Sequence, residues 1–366
     1  MHVLAALLSA LAIAIVLWDA FETVVLPRTV TRRLRLARIF FRSTWQPWAR
    51  AASLFGTDAR RERFLAIYGP LSLLGLAACW AVGLIGGFAG LHWSAGSNLH
   101  PASGDYRAID DLYMSGTTLF TLGLGDLQPA GRRARMITVA EAGTGFAFLA
   151  IVIAYVPVLY QSFSRREVRL TLLDAWAGSP PAASEILRRL GAAGQLAALE
   201  PFLRDWEYWC SELLESHISY PSVAFFRSQH QRQSWVSALT TVLDLSAIVL
   251  AGIEGIAAWQ AQVTFAIARH AAVDLSQVLH VTLDRATDRL PPADLEGLRR
   301  QLEAAGLKPA RSAAADQRLI ELRRSYEPYV LGLSQTLLMP TPPWMRQQPA
   351  KDNWQSSPRA AGGAHL

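Results

Sequence analysis

The chain has 366 residues, of which 51% are apolar, and a formal net charge of +6 at pH 7. That apolar fraction is high for a soluble protein, and the apolar residues gather in long, nearly uncharged runs. Two cysteines exclude a disulfide framework, and the Arg-rich segment adjoins the apolar runs, which favours a membrane surface over nucleic acid as its partner.

Three apolar runs, residues 3–26, 64–93 and 136–163, are each long enough to cross a bilayer, which takes about 20 residues. The first predicts a transmembrane helix within residues 1–27. A cleaved signal peptide is the alternative. Against it, no Lys or Arg precedes the run and no small-residue cleavage site follows it.

The basic loop at residues 28–63 sets the predicted orientation. It carries ten Arg against two acidic residues, so the positive-inside rule places it in the cytoplasm. The N-terminus and the connection between the second and third spans are then outside. The chain is predicted to be a multi-pass protein of the cell's inner (plasma) membrane. Asp19 and Glu22, at the end of the first span, are interpreted as inner-interface residues with Arg28 as a candidate partner.

The connection between the second and third spans contains the stretch Thr-Leu-Gly-Leu-Gly-Asp at residues 121–126. A polar turret over residues 94–107 and an amphipathic segment over residues 108–120 precede it. That segment is too short to cross the membrane. Gly123 and Gly125 permit backbone angles that other residues rarely adopt. Non-helical chain persists within a membrane only where it is buried in protein or faces water. The pattern predicts a re-entrant half-crossing helix that returns as extended chain.

The sequence TTLFTLGLGD resembles the pore-helix and selectivity-filter motif of the potassium channel superfamily. Residues 64–166 resemble the small bacterial ion channels with one pore loop per chain, which implies a fourfold homotetramer. The resemblance implies that backbone carbonyls replace the hydration shell of K⁺, with no cofactor besides the permeant ion. The implied ion-binding filter positions are Thr121, Leu122, Gly123, Leu124 and Gly125.

Two filter positions depart from the family's usual Thr-Val-Gly-Tyr-Gly-Asp. Leu122 replaces Val, and both side chains are apolar. Leu124 replaces a Tyr whose hydroxyl braces the filter in the family, so either a K⁺-selective or a weakly selective cation channel fits the sequence. Tyr113 is expected to support the filter through a hydrogen bond to Asp126.

Glu141 is the one acidic residue of the third span. Carboxylates within a membrane are rare and usually have an interior partner. Glu141 is expected either to support the filter from behind through Ser115 or Thr117, or to pair with the outer headgroups or the arginines that open the span. No span has Arg at every third position, so a voltage-sensor helix is excluded.

The inner helix is predicted over residues 135–163, and it contains the candidate gate. Gly143 and Gly145 are either hinges or small residues that allow close helix packing. Pro157 removes a helix hydrogen bond and is expected to kink the helix near the inner mouth. Three apolar residues at helical spacing either line the cavity or pack against lipid and neighbouring helices: Phe146, Leu149 and Ile153.

The chain changes character at residue 164, where amphipathic helical patterns begin. They predict an all-helical cytoplasmic domain over residues 164–339, followed by a disordered tail over residues 340–366. No Gly-x-Gly-x-x-Gly motif follows a strand, so Rossmann-type nucleotide sensing is excluded. His217 and His230 lack any recognised metal-ligand spacing and are interpreted as ordinary core or surface histidines.

These features predict an all-α membrane protein with three transmembrane helices, a re-entrant pore helix and a helical cytoplasmic domain. It would conduct K⁺ passively and be gated at the inner helix. No nucleophile–base pair or phosphate-binding loop indicates an enzyme. The alternatives are a weakly selective cation channel, and a non-conducting membrane scaffold with a partner-binding domain. The expected partners are the lipid bilayer, K⁺ and further copies of the chain, without nucleic acid.

Overall fold

The structure is a computed structural model that describes residues 1–26, 35–96, 99–101, 107–229, 232–256 and 258–346. The chain divides into two compact units, Met1–Gln161 and Ser162–Leu366. Its secondary structure is nearly all helical, which confirms the all-α class. The helices are α1 (His2–Val24), α2 (Leu36–Ala52), α3 (Asp58–Ser94), α4 (Ala108–Leu119), α5 (Arg132–Ala177), α6 (Ala183–Ala192), α7 (Leu199–Ser219), α8 (Trp235–Gly252), α9 (Ala258–Val278), α10 (Pro292–Ala304) and α11 (Ala313–Leu337).

Four helices among the described residues are long and apolar enough to cross a membrane, namely α1, α3, α5 and α8. They differ in how much of their apolar stretch the protein itself covers. The covered share is 83% for α8, but 22%, 39% and 17% for α1, α3 and α5. A helix that is apolar on all sides and enclosed by other helices is a core helix. We therefore assign α8 to the core of the second unit, where it packs against α6, α9 and α11.

Helix α1 packs closely on α3 because glycines of α3 face it. A Cβ added at Gly83 would lie 2.9 Å from Val16, and one at Gly87 would lie 2.6 Å from Ile13. Small residues at such spacing let two helices approach closely within a membrane. The first helix is therefore an integral part of the first unit.

Asp19 joins three helices at the end of α1. It is 3% exposed, and its Oδ2 accepts hydrogen bonds from Trp80 Nε1 of α3 at 2.9 Å and from the Ala37 N–H at 3.0 Å. Ala37 is in the first turn of α2, whose backbone N–H groups have no partner within the helix. The neighbouring Glu22 pairs with Arg35 at 3.7 Å. Arg28, the partner considered from the sequence, lies outside the described residues.

Helix α2 was not anticipated in the basic loop over residues 28–63. It runs antiparallel to the start of α3, and aromatic rings join the two helices. Trp48 stacks on Phe64 with 4.4 Å between ring centroids, and Tyr68 Oη lies 2.9 Å from Thr44 Oγ1. The opposite face of α2 is exposed and carries Arg42. One face of α2 is therefore exposed and basic, and the other is aromatic and packs against α3.

Two strands of three residues interrupt the helical pattern of the first unit. Strand β1 (Leu99–Pro101) pairs antiparallel with β2 (Leu127–Pro129), with Leu99 opposite Pro129. The sequence gives no alternating pattern there, because strands of this length are too short to show one. The pair joins the predicted turret to the segment that follows residues 121–126.

The second unit continues past the predicted domain end at residue 339. Trp344 is 3% exposed, and its ring lies 5.6 Å from the guanidinium carbons of both Arg289 and Arg323. Arg227 donates to the carbonyls of Leu337 and Leu338 at the end of α11. The structure thus packs residues 340–346, the first part of the expected tail, against the unit. Residues 347–366 lie outside the described part of the chain.

Candidate functional site

Helix α4 is short, and both of its ends are fixed. Its twelve residues span about 18 Å, against about 30 Å for the hydrocarbon core. At its start, Asp110 Oδ2 accepts a hydrogen bond from the Arg107 N–H at 2.7 Å, where negative charge complements the helix dipole. At its end, Leu119 is fully buried. The helix directs the negative end of its dipole towards the loop that follows it, which favours a cation there.

The backbone of the loop after α4 alternates between positive and negative φ. Thr121, Gly123 and Gly125 have φ values of +57°, +54° and +78°, whereas Leu122 and Leu124 keep negative φ. This alternation in the sign of φ favours an arrangement in which successive carbonyls point to one side of the chain and the N–H groups point to the other. In a strand they would alternate. Glycine adopts positive φ without steric penalty, which explains two of the three positions.

The first four carbonyl oxygens of this loop have no donor among the described residues. Those of Thr121, Leu122, Gly123 and Leu124 accept no hydrogen bond from any residue that the structure describes. The N–H groups at the start of the loop are occupied, since Thr121 and Leu122 donate to carbonyls in the last turn of α4 at 3.0 and 2.8 Å. Four consecutive acceptors with no protein donor form an arrangement that can ligate cations.

The side chains around the loop divide into a fixed pair and two exposed residues. Tyr113 Oη donates to Asp126 Oδ2 at 2.8 Å, so the structure brings together the two residues proposed as filter supports. Leu122 and Leu124 are 60% and 63% exposed in the single chain. Gln128 Nε2 donates to the Gly125 carbonyl at 3.3 Å and adds a second brace at the end of the loop.

The two inner-helix glycines have different surroundings. A Cβ added at Gly145 would lie 2.1 Å from the carbonyl oxygen of Leu119, whereas one at Gly143 would meet nothing within 4 Å. Gly145 therefore allows α5 to touch the end of α4. Of the two alternatives drawn from the sequence, this contact supports close packing at Gly145, and Gly143 is left as the candidate hinge.

The remaining inner-helix candidates lie along one face of α5. Phe146 and Ile153 are 71% and 72% exposed, and Leu149 between them is half-buried. Pro157 lies within α5, which continues through it to Ala177, beyond the predicted end at residue 163. The carbonyl four residues before a proline loses its helix donor, so Pro157 remains a candidate flexible point.

Glu141 is fully buried, and its neighbours belong to the two other helices of the site. Its Oε1 forms a hydrogen bond with Ser115 Oγ of α4, and its Oε2 lies 3.4 Å from His92 Nε2 of α3. The pore-helix alternative from the sequence therefore matches the observed contact. Among the described residues, no Arg contacts Glu141, and Arg135 instead donates to the Pro129 carbonyl. The structure thus gives this acidic residue interior partners.

A family model described as ion channel matches residues 76–161. The first unit contains an ion-channel domain. The match supports a pore of the type with two transmembrane helices, and it covers the second half of α3, all of α4, the loop and about the first two thirds of α5. No curated protein and no solved structure matches the chain significantly.

Beyond the ion-channel domain, α5 ends in an anchored segment of the second unit. The Arg166 guanidinium is buried and donates to the carbonyls of Val223 and Phe226 at 3.1 and 2.8 Å. It also contacts Glu167 and lies 3.2 Å from His217 Nε2. Burial, together with the charge of Arg166, holds the pKa of His217 well below its usual 6.5. His217 is therefore a neutral core residue.

No three His, Cys, Asp or Glu side chains in the described ranges gather into a metal site. His230, the other histidine considered from the sequence, lies outside those ranges.

Sequence reasoning missed two contributors to the ion-channel domain. His92 stands in the last turns of α3 beside the polar turret, and nothing in its sequence context distinguishes it from a surface residue. The contact between Leu119 and Gly145 depends on how α4 and α5 cross. A glycine in a helical run was the only available signal.

Proposed function

We propose that the chain forms a homotetrameric channel in the cell's inner membrane that conducts cations passively and prefers K⁺. The observation that carries this proposal is the alternating backbone at residues 121–125, with four carbonyl oxygens that no described residue occupies. Four such loops around an axis would present rings of carbonyls that replace the hydration shell of a cation. The match to an ion-channel family over residues 76–161 supports the same function.

The single chain leaves surfaces that an assembly would cover. Leu122 and Leu124 expose most of their side chains beside the loop, and Phe146 and Ile153 expose about 70% on α5. In a tetramer, the leucines would pack behind the carbonyl rings and the α5 residues would face the cavity below. Four copies of that apolar face form a constriction that can gate by dewetting. The residues before and after Pro157 would carry the opening movement.

The orientation follows from charge. The Arg-rich segment before α3 places the start of that helix in the cytoplasm, so the loop at residues 121–126 faces the outside. The second unit is then cytoplasmic. Arg166 would transmit movements of that unit to α5, because its hydrogen bonds to Val223 and Phe226 hold the end of the helix.

A weakly selective cation channel is the second candidate, and Leu124 favours it. Leu has no hydrogen-bond donor with which to brace the carbonyl ring. The Tyr113–Asp126 hydrogen bond supplies one polar brace per chain, on the outer side of the loop. We place K⁺ preference first because all four carbonyl oxygens from Thr121 to Leu124 are without a donor among the described residues.

Flux into proteoliposomes tests the proposal. Purified protein should take up radioactive rubidium, a K⁺ substitute, down an imposed K⁺ gradient, and its native mass should correspond to four chains. Gly123→Asp introduces a side chain at a φ of +54° within the carbonyl run and should abolish uptake. Gly86→Ala is the matched control, because its helical position has nothing within 4 Å and should leave uptake unchanged. Equal uptake by wild type and Gly123→Asp would refute the pore, and a tetramer without uptake would favour a scaffold.

A further inference from the structure

Three buried polar side chains from three helices meet behind the candidate pore loop. His92 of α3 is 1% exposed, and Ser115 of α4 and Glu141 of α5 are fully buried. Ser115 Oγ contacts Glu141 Oε1 and also lies 2.9 Å from the Ile85 carbonyl of α3. This cluster is the polar connection that the described residues provide between the middle of α4 and both long helices.

The hydrogens available to Ser115 restrict the state of Glu141. A serine hydroxyl has one proton, so it donates to one oxygen only. If Glu141 were a carboxylate, Ser115 Oγ would face two acceptors, and one of the two contacts would bring lone pairs together. If Glu141 carries a proton on Oε1, it donates to Ser115 Oγ and Ser115 donates to Ile85 O. Both contacts are then hydrogen bonds.

The surroundings of Glu141 favour the same state. His92 Nε2 and Glu141 Oε2 lie 3.4 Å apart, and neither atom forms a hydrogen bond with any described residue. Protonation of Glu141 leaves Oε2 as an uncharged carbonyl oxygen, which costs less to bury without a hydrogen bond than a carboxylate oxygen does. Apart from His92, no basic side chain of the described chain lies within ion-pair distance of Glu141, and a buried charge without a partner is strongly unfavourable.

Few other charged or titratable groups face the cluster. On α4, Asp111 is buried one turn before Ser115. On α3, Trp93 follows His92 and its ring packs at a tilt against His2 of α1, with 5.4 Å between ring centroids. The arginines at the start of α5 are exposed.

We propose that Glu141 is held as a neutral carboxylic acid and that its proton, donated to Ser115, positions α4 against α3 and α5. Glu141 is thus a positioning residue for the pore loop, since α4 leads directly into Thr121. Loss of the proton breaks the chain of hydrogen bonds from Glu141 through Ser115 to Ile85. The proton site itself rests on geometry alone, whereas its effect on conduction rests on the proposed function.

Infrared spectroscopy of the purified full-length protein tests the proton directly. We expect a carbonyl stretch of a protonated carboxylic acid at neutral pH that disappears in Glu141→Gln. The matched control is Glu22→Gln, because Glu22 is a buried glutamate of the same unit that pairs with Arg35 at 3.7 Å, so the substitution should leave the band intact. Absence of the band in wild type, or its survival in Glu141→Gln, would overturn the proposal.

The conduction consequence is tested with the same variant. Gln reproduces a neutral acid, since its amide donates to Ser115 and its uncharged carbonyl takes the place of Oε2. Glu141→Gln should therefore fold, conduct and be insensitive to external pH. Wild type should close as external pH rises, with a change in the open–closed equilibrium of about 5- to 150-fold, the range for one lost buried hydrogen bond.

Three outcomes contradict the proposal: Glu141→Gln fails to fold, it loses its current, or it keeps the wild-type pH dependence. The first two would mean that Glu141 acts as a carboxylate paired with a charged His92. A wild type that carries no current at any pH would refute the proposed function instead, and the infrared result would still decide the protonation state.

Discussion

Substitution of Gly145 tests whether contact between the inner helix and the end of α4 holds the pore loop in place. The Cβ of Gly145→Ala would lie 2.1 Å from the Leu119 carbonyl oxygen, and an ordinary contact is at 3.4 Å or more. One of the two backbones must therefore move by about 1.3 Å, the difference between these distances. Leu119 is two residues before Thr121, so the movement would reach the first carbonyl of the loop.

Gly143→Ala is the matched control for the energy of this clash. Both substitutions gain up to about 1 kcal/mol of helix propensity. Only Gly145→Ala adds overpacking, which costs about 1–3 kcal/mol. The free energy of unfolding of the two variants should therefore differ by about 1–3 kcal/mol, with Gly145→Ala the less stable.

Current and stability are measured on both variants in parallel. Gly145→Ala should lose most of its rubidium uptake, whereas Gly143→Ala should remain folded and conduct. If Gly145→Ala matched Gly143→Ala in both stability and uptake, the close contact between α4 and α5 would be refuted. If Gly143→Ala alone altered the open probability, the hinge would lie at Gly143.

Three further predictions concern other parts of the chain. Gly87→Leu should separate α1 from α3 and lower the melting temperature, because even a Cβ at this position would lie 2.6 Å from Ile13. Gly86→Leu should have little effect, since a Cβ there meets nothing within 4 Å. Equal melting temperatures for the two variants would contradict the packing of α1 on α3. Below pH 6.5, His217 binds a proton in the unfolded chain but not in the folded chain. The free energy of unfolding should therefore fall by about 1.4 kcal/mol for each unit by which the pH is lowered. The pH dependence of stability in His217→Gln should lack this contribution. Trp344→Ala should destabilise the second unit by about 3–5 kcal/mol and speed its proteolysis within residues 340–346, whereas a disordered tail would make it neutral.

The sequence was informative where a single element carries its own signal. Apolar runs of sufficient length indicated α1, α3 and α5, and the spacing of Gly123 and Gly125 indicated an unusual backbone. The positive φ of Thr121 was less accessible, because nothing in a threonine signals a left-handed conformation. Its φ of +57° accompanies the hydrogen bonds that the N–H groups of Thr121 and Leu122 donate to carbonyls of α4.

Contacts between elements distant in sequence were not predictable in the same way. His92 and Glu141 are 49 positions apart, and only the crossing of α3, α4 and α5 brings them within 3.4 Å. Helix α2 was hidden because residues 28–63 carry ten arginines, while the aromatic residues of the helix have a clear role only beside Phe64 and Tyr68. Trp344 was not predictable for the same reason. It lies in a Pro-rich segment, and it is buried because its ring packs against Arg289 and Arg323, which are distant in sequence.

The most direct test of a K⁺-preferring pore is the reversal potential of single channels in planar bilayers, with K⁺ on one side and Na⁺ on the other. Purified tetramers should open and reverse close to the K⁺ equilibrium potential, because the carbonyls of Thr121, Leu122, Gly123 and Leu124 would ligate dehydrated K⁺. A reversal potential near zero with clear openings would contradict the preference for K⁺. Silence from tetramers under every gating condition would contradict the pore itself.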